Sequence, residues 1–402
     1  MNASQTNSMI STRYNINLPF YLLLATISSF IISIFIFQVF AGLLVFIWLF
    51  ERNNDKLKTL DATTYLFISF VIIRILTALL SEFPESSIRL FYKDALFFLS
   101  FFAFSYYLKI FINGKFRVIF YTLVIAAMVV AGIGVVRFLL GDVHRAESFT
   151  SGYSTYSSYL VSLLGFAILL FGSLKVQKQK IFWAIGIIIM LSGIVTSLGR
   201  TNIVIAVLIF IAGIIMAKVK LRYIISVILV VAGLTWISFQ LNTGEINQRI
   251  ETPAHLSDRD IILEAAGELF LKFEHPVLGF GPRTFHDIFA KKDLLSDKGV
   301  GSWHNDFIQV YFESGFAGLI ILLLLIIYPF FIGINCLMRC ELDEDRKMIL
   351  FGALLGEAAL VLSALTAGFV NSPVLSVFFA FLISTISAIT TSAQAAQEEE
   401  LN

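Results

Sequence analysis

Charged residues are scarce in this sequence. Asp, Glu, Lys and Arg make up 14% of its 402 residues, against about a quarter in a soluble domain. That deficit excludes an ordinary water-soluble composition. The net charge is only +1, so no global basic field of the kind that gathers nucleic acid is present. There are two cysteines, Cys336 and Cys340, one helical turn apart, which excludes a disulfide scaffold. Arg339, Arg346 and Lys347 flank them and point to the reducing side of a membrane, where they read as inert thiols. Metal-ligand spacing is missing as well: there is no H-E-x-x-H and no C-x-x-C, so neither a metal nor another cofactor is expected. Without Walker A or G-x-S-x-G motifs, ATP use and hydrolase-type serine chemistry have no support. A cleavable signal peptide is not expected either, because the first 17 residues are polar and Leu18 onward reads as a retained span.

What the sequence has in abundance is apolar residues, 58% of the chain, with a mean hydropathy of +0.86. A bilayer span needs about 20 apolar residues. Runs near 18–34, 35–50, 62–80, 95–112, 118–140, 155–173, 181–197, 202–217, 223–240, 306–333, 348–367 and 373–391 predict an all-α integral membrane protein of about twelve transmembrane helices. The run from Leu18 to Phe50 is long for one span and tight for two; two make the count even. Residues 1–240 then hold spans one to nine, 241–305 a long loop, 306–391 spans ten to twelve, and 392–402 a tail.

Loop charges give the orientation. With the N-terminus inside, one set of segments carries Arg13; Arg52, Lys56 and Lys58; Lys109, Lys115 and Arg117; Lys175, Lys178 and Lys180; Lys218, Lys220 and Arg222; and Arg339, Arg346 and Lys347. The short loops of the other set hold only Arg89, Lys93, Arg145 and Arg200. The positive-inside rule therefore predicts cytoplasmic termini and places loop 241–305 outside. This loop is the only long hydrophilic segment and holds four of the five histidines: His255, His275, His286 and His304. Loops of such length are usually functional.

Within it, Ser257 and Asp260 form a capping-box pattern. Ile261, Ala265, Leu269 and Phe273, with Ile262, Ala266 and Phe270 beside them, predict an amphipathic helix lying on the membrane surface or against the bundle. His275-Pro276 ends it, and Gly279-Phe280-Gly281-Pro282 must turn tightly. The next helix starts near Trp303-His304-Asn305-Asp306. Asn305, Gln309 and Glu313 recur every fourth residue on it, a polar stripe that should face the bundle interior or a wet cavity. Gly315 and Gly318 allow close helix packing.

Several charges invite two readings. Arg200 is either an anion-binding guanidinium or a snorkelling arginine at a helix end. Arg137 reads as snorkelling. Arg74 lies deeper in its span and could line a cavity. Glu357 reads as the buried partner of a basic or polar group. Arg259 is a surface arginine or a ligand at the first turn of the loop helix, and Arg283 and His286 follow the glycine turn. His304 is a hydrogen-bonded structural residue or a reactive one, placed where a hydrophilic loop enters a span.

Thr196–Asn202, Arg259, Pro276–Phe285, His304–Phe307 and Glu313–Gly318, in that order around one loop, resemble the O-antigen ligase family, over about residues 190–330. Its superfamily includes O-antigen polymerases and O-oligosaccharyltransferases. The resemblance implies a membrane-embedded glycosyltransferase of the GT-C type in the bacterial inner membrane, with a helical periplasmic loop between the ninth and tenth spans. It implies transfer of a glycan from undecaprenyl diphosphate to lipid A-core on the periplasmic face, completing lipopolysaccharide without a metal and with inversion. It assigns catalytic roles to Arg200, Arg259 and His304. This chain reads Ser197-Leu198-Gly199-Arg200, with two residues between the serine and the arginine of the family's Ser-x-Arg-type motif. Arg283, Asn305, Gln309, Glu313 and Arg74 are expected to bind substrate. The alternatives are a polymerase with a lipid-linked glycan as acceptor and, in another class, a flippase for lipid-linked glycans. No internal repeat is evident and the polar residues gather on one face, which favours an enzyme over a transporter.

Overall fold

Apolar segments in a bilayer must satisfy their own backbone hydrogen bonds, which leaves helices or closed barrels. Here they fold as helices, and no strand occurs among the described residues. The computed structural model describes residues 17–51, 56, 60–149, 152–241, 259–272, 274–291 and 301–401. The Ser257 cap, Phe273 and His255 lie outside the described residues.

A helix coincides with each of the twelve spans read from the sequence. These are α1 (Asn17–Ser29), α2 (Ile34–Phe50), α3 (Ala62–Leu79), then, past the short turns α4 (Pro84–Ser87) and α5 (Leu90–Lys93), α6 (Ala95–Phe111) and α7 (Phe116–Leu139). They continue with α8 (Tyr153–Ser173), α9 (Gln177–Thr196), α10 (Arg200–Ala217) and α11 (Leu221–Leu241). Beyond the loop helices α12 (Arg259–Lys272) and α13 (Phe285–Ile288) come α14 (Asp306–Arg339), α15 (Glu344–Ser363) and α16 (Leu375–Leu401). Among the described residues, eight helical stretches are long and apolar enough to cross a membrane by length and composition. The other four are α1, α2, the apolar part of α11, and α15, whose first turn is charged. The 18–50 run breaks at Phe30–Ser33, where the Ser33 hydroxyl accepts a hydrogen bond from the Ile36 N–H at 3.4 Å and starts α2. With 13 residues, α1 is about 20 Å long, short of a hydrocarbon core of about 30 Å.

At the centre lie α8 and α16, buried along almost their whole length. Small residues make this possible. Gly165 of α8 faces Leu355 of α15, while Gly352 and Gly356 of α15 lie against Phe166 and the Ser162 carbonyl. Helices in lipid associate by such close packing because burial of apolar surface gives them little advantage over lipid tails.

The bundle has two distinct ends. One gathers segments 80–94, 140–149, 197–199, 259–272, 274–291, 301–305 and 364–374, joined by contacts such as Ser81 Oγ to the Phe280 carbonyl and Ala146 N–H to the Thr196 carbonyl. The other carries the lysine-rich connections, with Lys109 3.0 Å from Asp61 and Arg117 3.3 Å from Asp345.

The loop has a small core of its own. Ile262, Ala265 and Ala266 of α12 pack with Phe280, Phe285, Phe289, Trp303, Tyr311 and Phe312. The apolar face read from the sequence thus packs inward, with Ile262, Ala265 and Ala266 buried and Ile261 and Leu269 half-buried against the same core; Phe270 is exposed with its ring against Tyr311.

Helix α14 is broken at Gly315 (φ 62°, ψ −165°). The break is bridged by the glycine turn of the loop. The Phe280 and Gly281 N–H groups donate to the carbonyls of Phe312 and Glu313 at 2.7 and 3.0 Å, and the Phe316 and Ala317 N–H groups donate to those of Pro276 and Val277 at 2.8 and 3.2 Å. A Cβ on Gly315 would lie 2.1 Å from the Val277 carbonyl oxygen, and one on Gly279 would lie 2.5 Å from that of Phe312. Gly315→Ala therefore combines a left-handed backbone with a backbone clash and should cost roughly 2 kcal/mol or more. Thermal melting of detergent-solubilised protein tests this. Gly42→Ala, where a Cβ meets nothing within 4 Å, serves as the silent control. Equal melting temperatures for the two variants would reject the pairing as a structural requirement.

Candidate functional site at the loop junction

The junction Ser302–Asp306 is fixed from both sides. Asn305 caps α14, its Oδ1 accepting from the Phe307 and Ile308 N–H groups at 3.0 and 3.1 Å. Its Nδ2 donates to the Leu365 carbonyl at 3.2 Å. The buried Asp306 carboxylate accepts from the N–H groups of Phe369 and Val370, so segment 364–374 is drawn up to the start of α14. One turn on, Gln309 accepts from the Trp303 N–H at 3.0 Å and donates to Glu313. These bonds hold His304 in a left-handed conformation (φ 50°). A non-glycine residue pays about 1–3 kcal/mol for such a backbone, and such residues cluster at functional sites.

Beneath the junction lies a buried charge network. Arg74 of α3 pairs with Glu313 of α14 at 2.5 Å, with 1% and 0% of the two side chains exposed. Glu313 also accepts from Gln309, from Asn371 Nδ2 at 3.1 Å, and from the Arg283 N–H at 2.8 Å. The Arg283 guanidinium donates to Asp94, which lies 3.8 Å from Arg74. Arg283, like His304, has positive φ (62°). Two arginines and two carboxylates therefore tie α3, the start of α6, the glycine turn and α14 to one another.

Above the network opens a cavity of about 360 Å³. Of the residues expected to form the site, it brings together Arg283, His304, Asn305 and Gln309. Arg74 and Glu313 lie under it as the ion pair. Arg89, Lys93, His286 and Asn371 also line it.

Arg259 starts α12, half-buried and close enough to His304 to oppose its protonation. Burial first, and this guanidinium second, hold the His304 imidazole below its ordinary pKa. Burial likewise lowers the Arg259 pKa; Tyr153 partly offsets this, and neighbouring Arg145 adds to it. Arg145 is held over the Tyr153 ring, 4.1 Å from its centroid. Arg200 is exposed at the first residue of α10. Gly199, just before it, faces Ser157, and Asn202, two residues on, donates to Ser157 at 2.7 Å, so Arg200 stands near the start of α8. It does not line the cavity. Among the described residues, no three His, Cys, Asp or Glu side chains form a metal-holding group. Sequence reasoning did not single out Arg145, Arg89, Lys93, Asp94 or Asn371 as site residues. The spacing of Arg89 and Lys93, four apart at the head of a span, was a readable signal; Asn371 offered none.

This arrangement sets the His304 imidazole beside the Arg259 guanidinium and in the wall of a polar cavity. Residues 185–323, from α9 to the first half of α14, match the family model described as O-antigen ligase. Over this stretch the chain is similar to the O-antigen ligase family. That stretch contains Arg200, Arg259, Arg283 and His304, and the family's members are membrane glycosyltransferase-type enzymes. No curated protein matches the chain.

The electrostatics make a pH test possible. A depressed His304 pKa keeps the imidazole neutral through neutral pH, so any rate that depends on neutral His304 should fall only below the ordinary imidazole range, near pH 6.5. Arg259→Gln removes a positive charge that disfavours the imidazolium, so the acid limb should move to higher pH, whatever the residual rate. A limb that stays in place in Arg259→Gln would show that the two groups are not electrostatically coupled.

Proposed function

We propose that the protein transfers a glycan from undecaprenyl diphosphate to lipid A-core at the periplasmic face of the bacterial inner membrane, completing lipopolysaccharide. The observation that carries this reading is the strained, neutral His304 beside Arg259 within the matched family domain. Arg259, Arg200 and Arg145 form the diphosphate site. Guanidinium forks suit phosphate oxygens, and two or three of them offset the charge that grows as the glycosyl–phosphate bond breaks, which is the role a metal would otherwise fill. His304 accepts the proton of the attacking acceptor hydroxyl. Direct attack on an α-linked donor inverts the anomeric centre. The twelve helices span the membrane in a GT-C-type arrangement with both termini in the cytoplasm, loop 241–305 carries the catalytic elements, and 392–402 is a cytoplasmic tail. A polymerase would use the same chemistry with a lipid-linked glycan as acceptor, and supplying each acceptor to the purified protein with one donor separates the two. A flippase would move the donor without a new glycosidic bond.

Three measurements follow. Cysteine introduced at exposed Leu271 of α12 should react with a membrane-impermeant maleimide in intact spheroplasts; labelling only after lysis would reverse the orientation. His304→Ala should lower the transfer rate by roughly 10²–10⁴-fold while donor affinity persists, and His275→Ala, on an exposed residue paired with Glu82, should be mild. In parallel, Arg200→Lys and Arg259→Lys keep charge but lose the fork, and should both be impaired as purified, folded protein. A His304→Ala variant with an unchanged rate at saturating donor and weakened donor binding would make His304 a binding residue instead of the base.

A further inference from the structure

His304 borders the cavity, but Arg259, Arg145 and Arg200 are not in its walls. The cavity has basic groups of its own. Arg89 and Lys93 stand one helical turn apart just before α6, both exposed, and both line the space that His304 borders. Neither makes a side-chain ion pair among the described residues. The carboxylate nearest to them in sequence, Asp94, is engaged by Arg283 and Arg74. Asp306, also in the wall, directs its carboxylate to the backbone N–H groups of Phe369 and Val370. Two cations thus face a cavity whose acidic groups are already bonded elsewhere. The remaining polar lining, Asn305, Gln309, Asn371 and Ser372, is of the kind that orients hydroxyl-rich ligands, and about 360 Å³ lies at the small end of the range for ligand sites.

A histidine between two cationic sites needs one site for each reactant. On the reading that Arg259, Arg200 and Arg145 hold the donor diphosphate, the cavity is left for the acceptor. We propose that this cavity is the acceptor subsite and that Arg89 and Lys93 bind a phosphate carried by the acceptor sugar, selecting a phosphorylated acceptor glycan over a neutral one. In the transfer step, the acceptor oxygen forms the new bond to the donor's anomeric carbon and its proton passes to His304. The bond from that carbon to the phosphate oxygen breaks, and the lipid diphosphate leaves with the electron pair. The imidazolium then returns its proton to solvent. Arg89 and Lys93 touch the acceptor's phosphate and take no part in the proton transfer.

The test compares a phosphorylated core-type oligosaccharide with the same oligosaccharide after phosphatase treatment, using wild type and the Arg89→Gln/Lys93→Gln double variant. In binding measurements without donor, wild type should prefer the phosphorylated form and the variant should not. In transfer assays, the variant's KM for the phosphorylated acceptor should rise by roughly tenfold or more, as expected for the loss of charge-assisted hydrogen bonds, with donor KM and kcat at saturating acceptor little changed. Raised ionic strength should weaken wild-type acceptor binding and leave the variant's unaltered. Arg89→Lys/Lys93→Arg, which keeps both charges, should retain most of the preference and shows that a loss elsewhere is not a folding defect. An undiminished preference for phosphate in the double variant would overturn the assignment, as would a rise in donor KM, which would make the cavity the diphosphate site. The two proposals fail separately. If wild type discriminates acceptors in binding but transfers no glycan, the reaction is wrong and the cavity assignment stands; transfer without discrimination removes the cavity assignment alone.

Discussion

The Arg74–Glu313 ion pair holds the loop end of this molecule together. Each charge is taken wholly out of water, which costs several kcal/mol per ion unless geometry and further hydrogen bonds offset it. Glu313 meets that condition with four partners drawn from four places: Arg74 in α3, Gln309 within α14, Asn371 before α16, and the backbone of Arg283 in the loop. The same carboxylate therefore fixes a span, a hydrophilic loop and the connection after α15 relative to His304. An apolar pair could fill the volume, but it could not dictate where Gln309 and the Arg283 backbone must sit. The buried charges specify geometry more than they add stability.

That network depends in turn on the break in α14. A continuous helix would keep the Phe312 and Glu313 carbonyls in its own ladder. Opening it at Gly315 frees them for the Phe280 and Gly281 N–H groups and exposes N–H groups to the Pro276 and Val277 carbonyls. Irregular backbone is tolerated at membrane depth where protein re-satisfies it, and the loop does so here residue by residue. The turn that docks on the helix also carries Arg283 into the network. Its glycines are needed because two backbones approach where any Cβ would collide: Gly279 against Phe312, Gly315 against Val277.

These features were unequally legible in the sequence. The helices were readable because long apolar runs leave little else possible, and the stripe Asn305–Gln309–Glu313 because polar residues on an apolar helix need a reason. The tight turn at Gly279–Pro282 was readable from composition, but its docking on α14 was not, since backbone pairing between distant segments leaves no side-chain signature. Arg74 looked like a cavity-lining group because sequence shows a charge in a span without its partner, and Glu313 lies 239 positions away. Arg145 shared its short loop with no motif, and its place beside Arg259 depends on the Tyr153 ring that holds it. The face of α12 was legible in its spacing apart from Phe270, which is exposed while the small Ala265 and Ala266 meet the aromatic core.

The strain at His304 and Arg283 completes the physical account. Both residues adopt left-handed backbones that glycine would occupy without cost, yet one presents an imidazole and the other a guanidinium to the same cavity. The compensation is local: Gln309 binds the backbone just before His304, Glu313 binds that of Arg283, and Gln309 donates to Glu313. A single hydrogen-bonded pair on α14 thus supports both strained residues. The His304 backbone cannot relax without disturbing the buried bonds on either side of it. For the base role proposed for His304, that fixed backbone matters more than the basicity of the ring, because a misplacement of about 1 Å in a reacting group can cost about 10²-fold in rate.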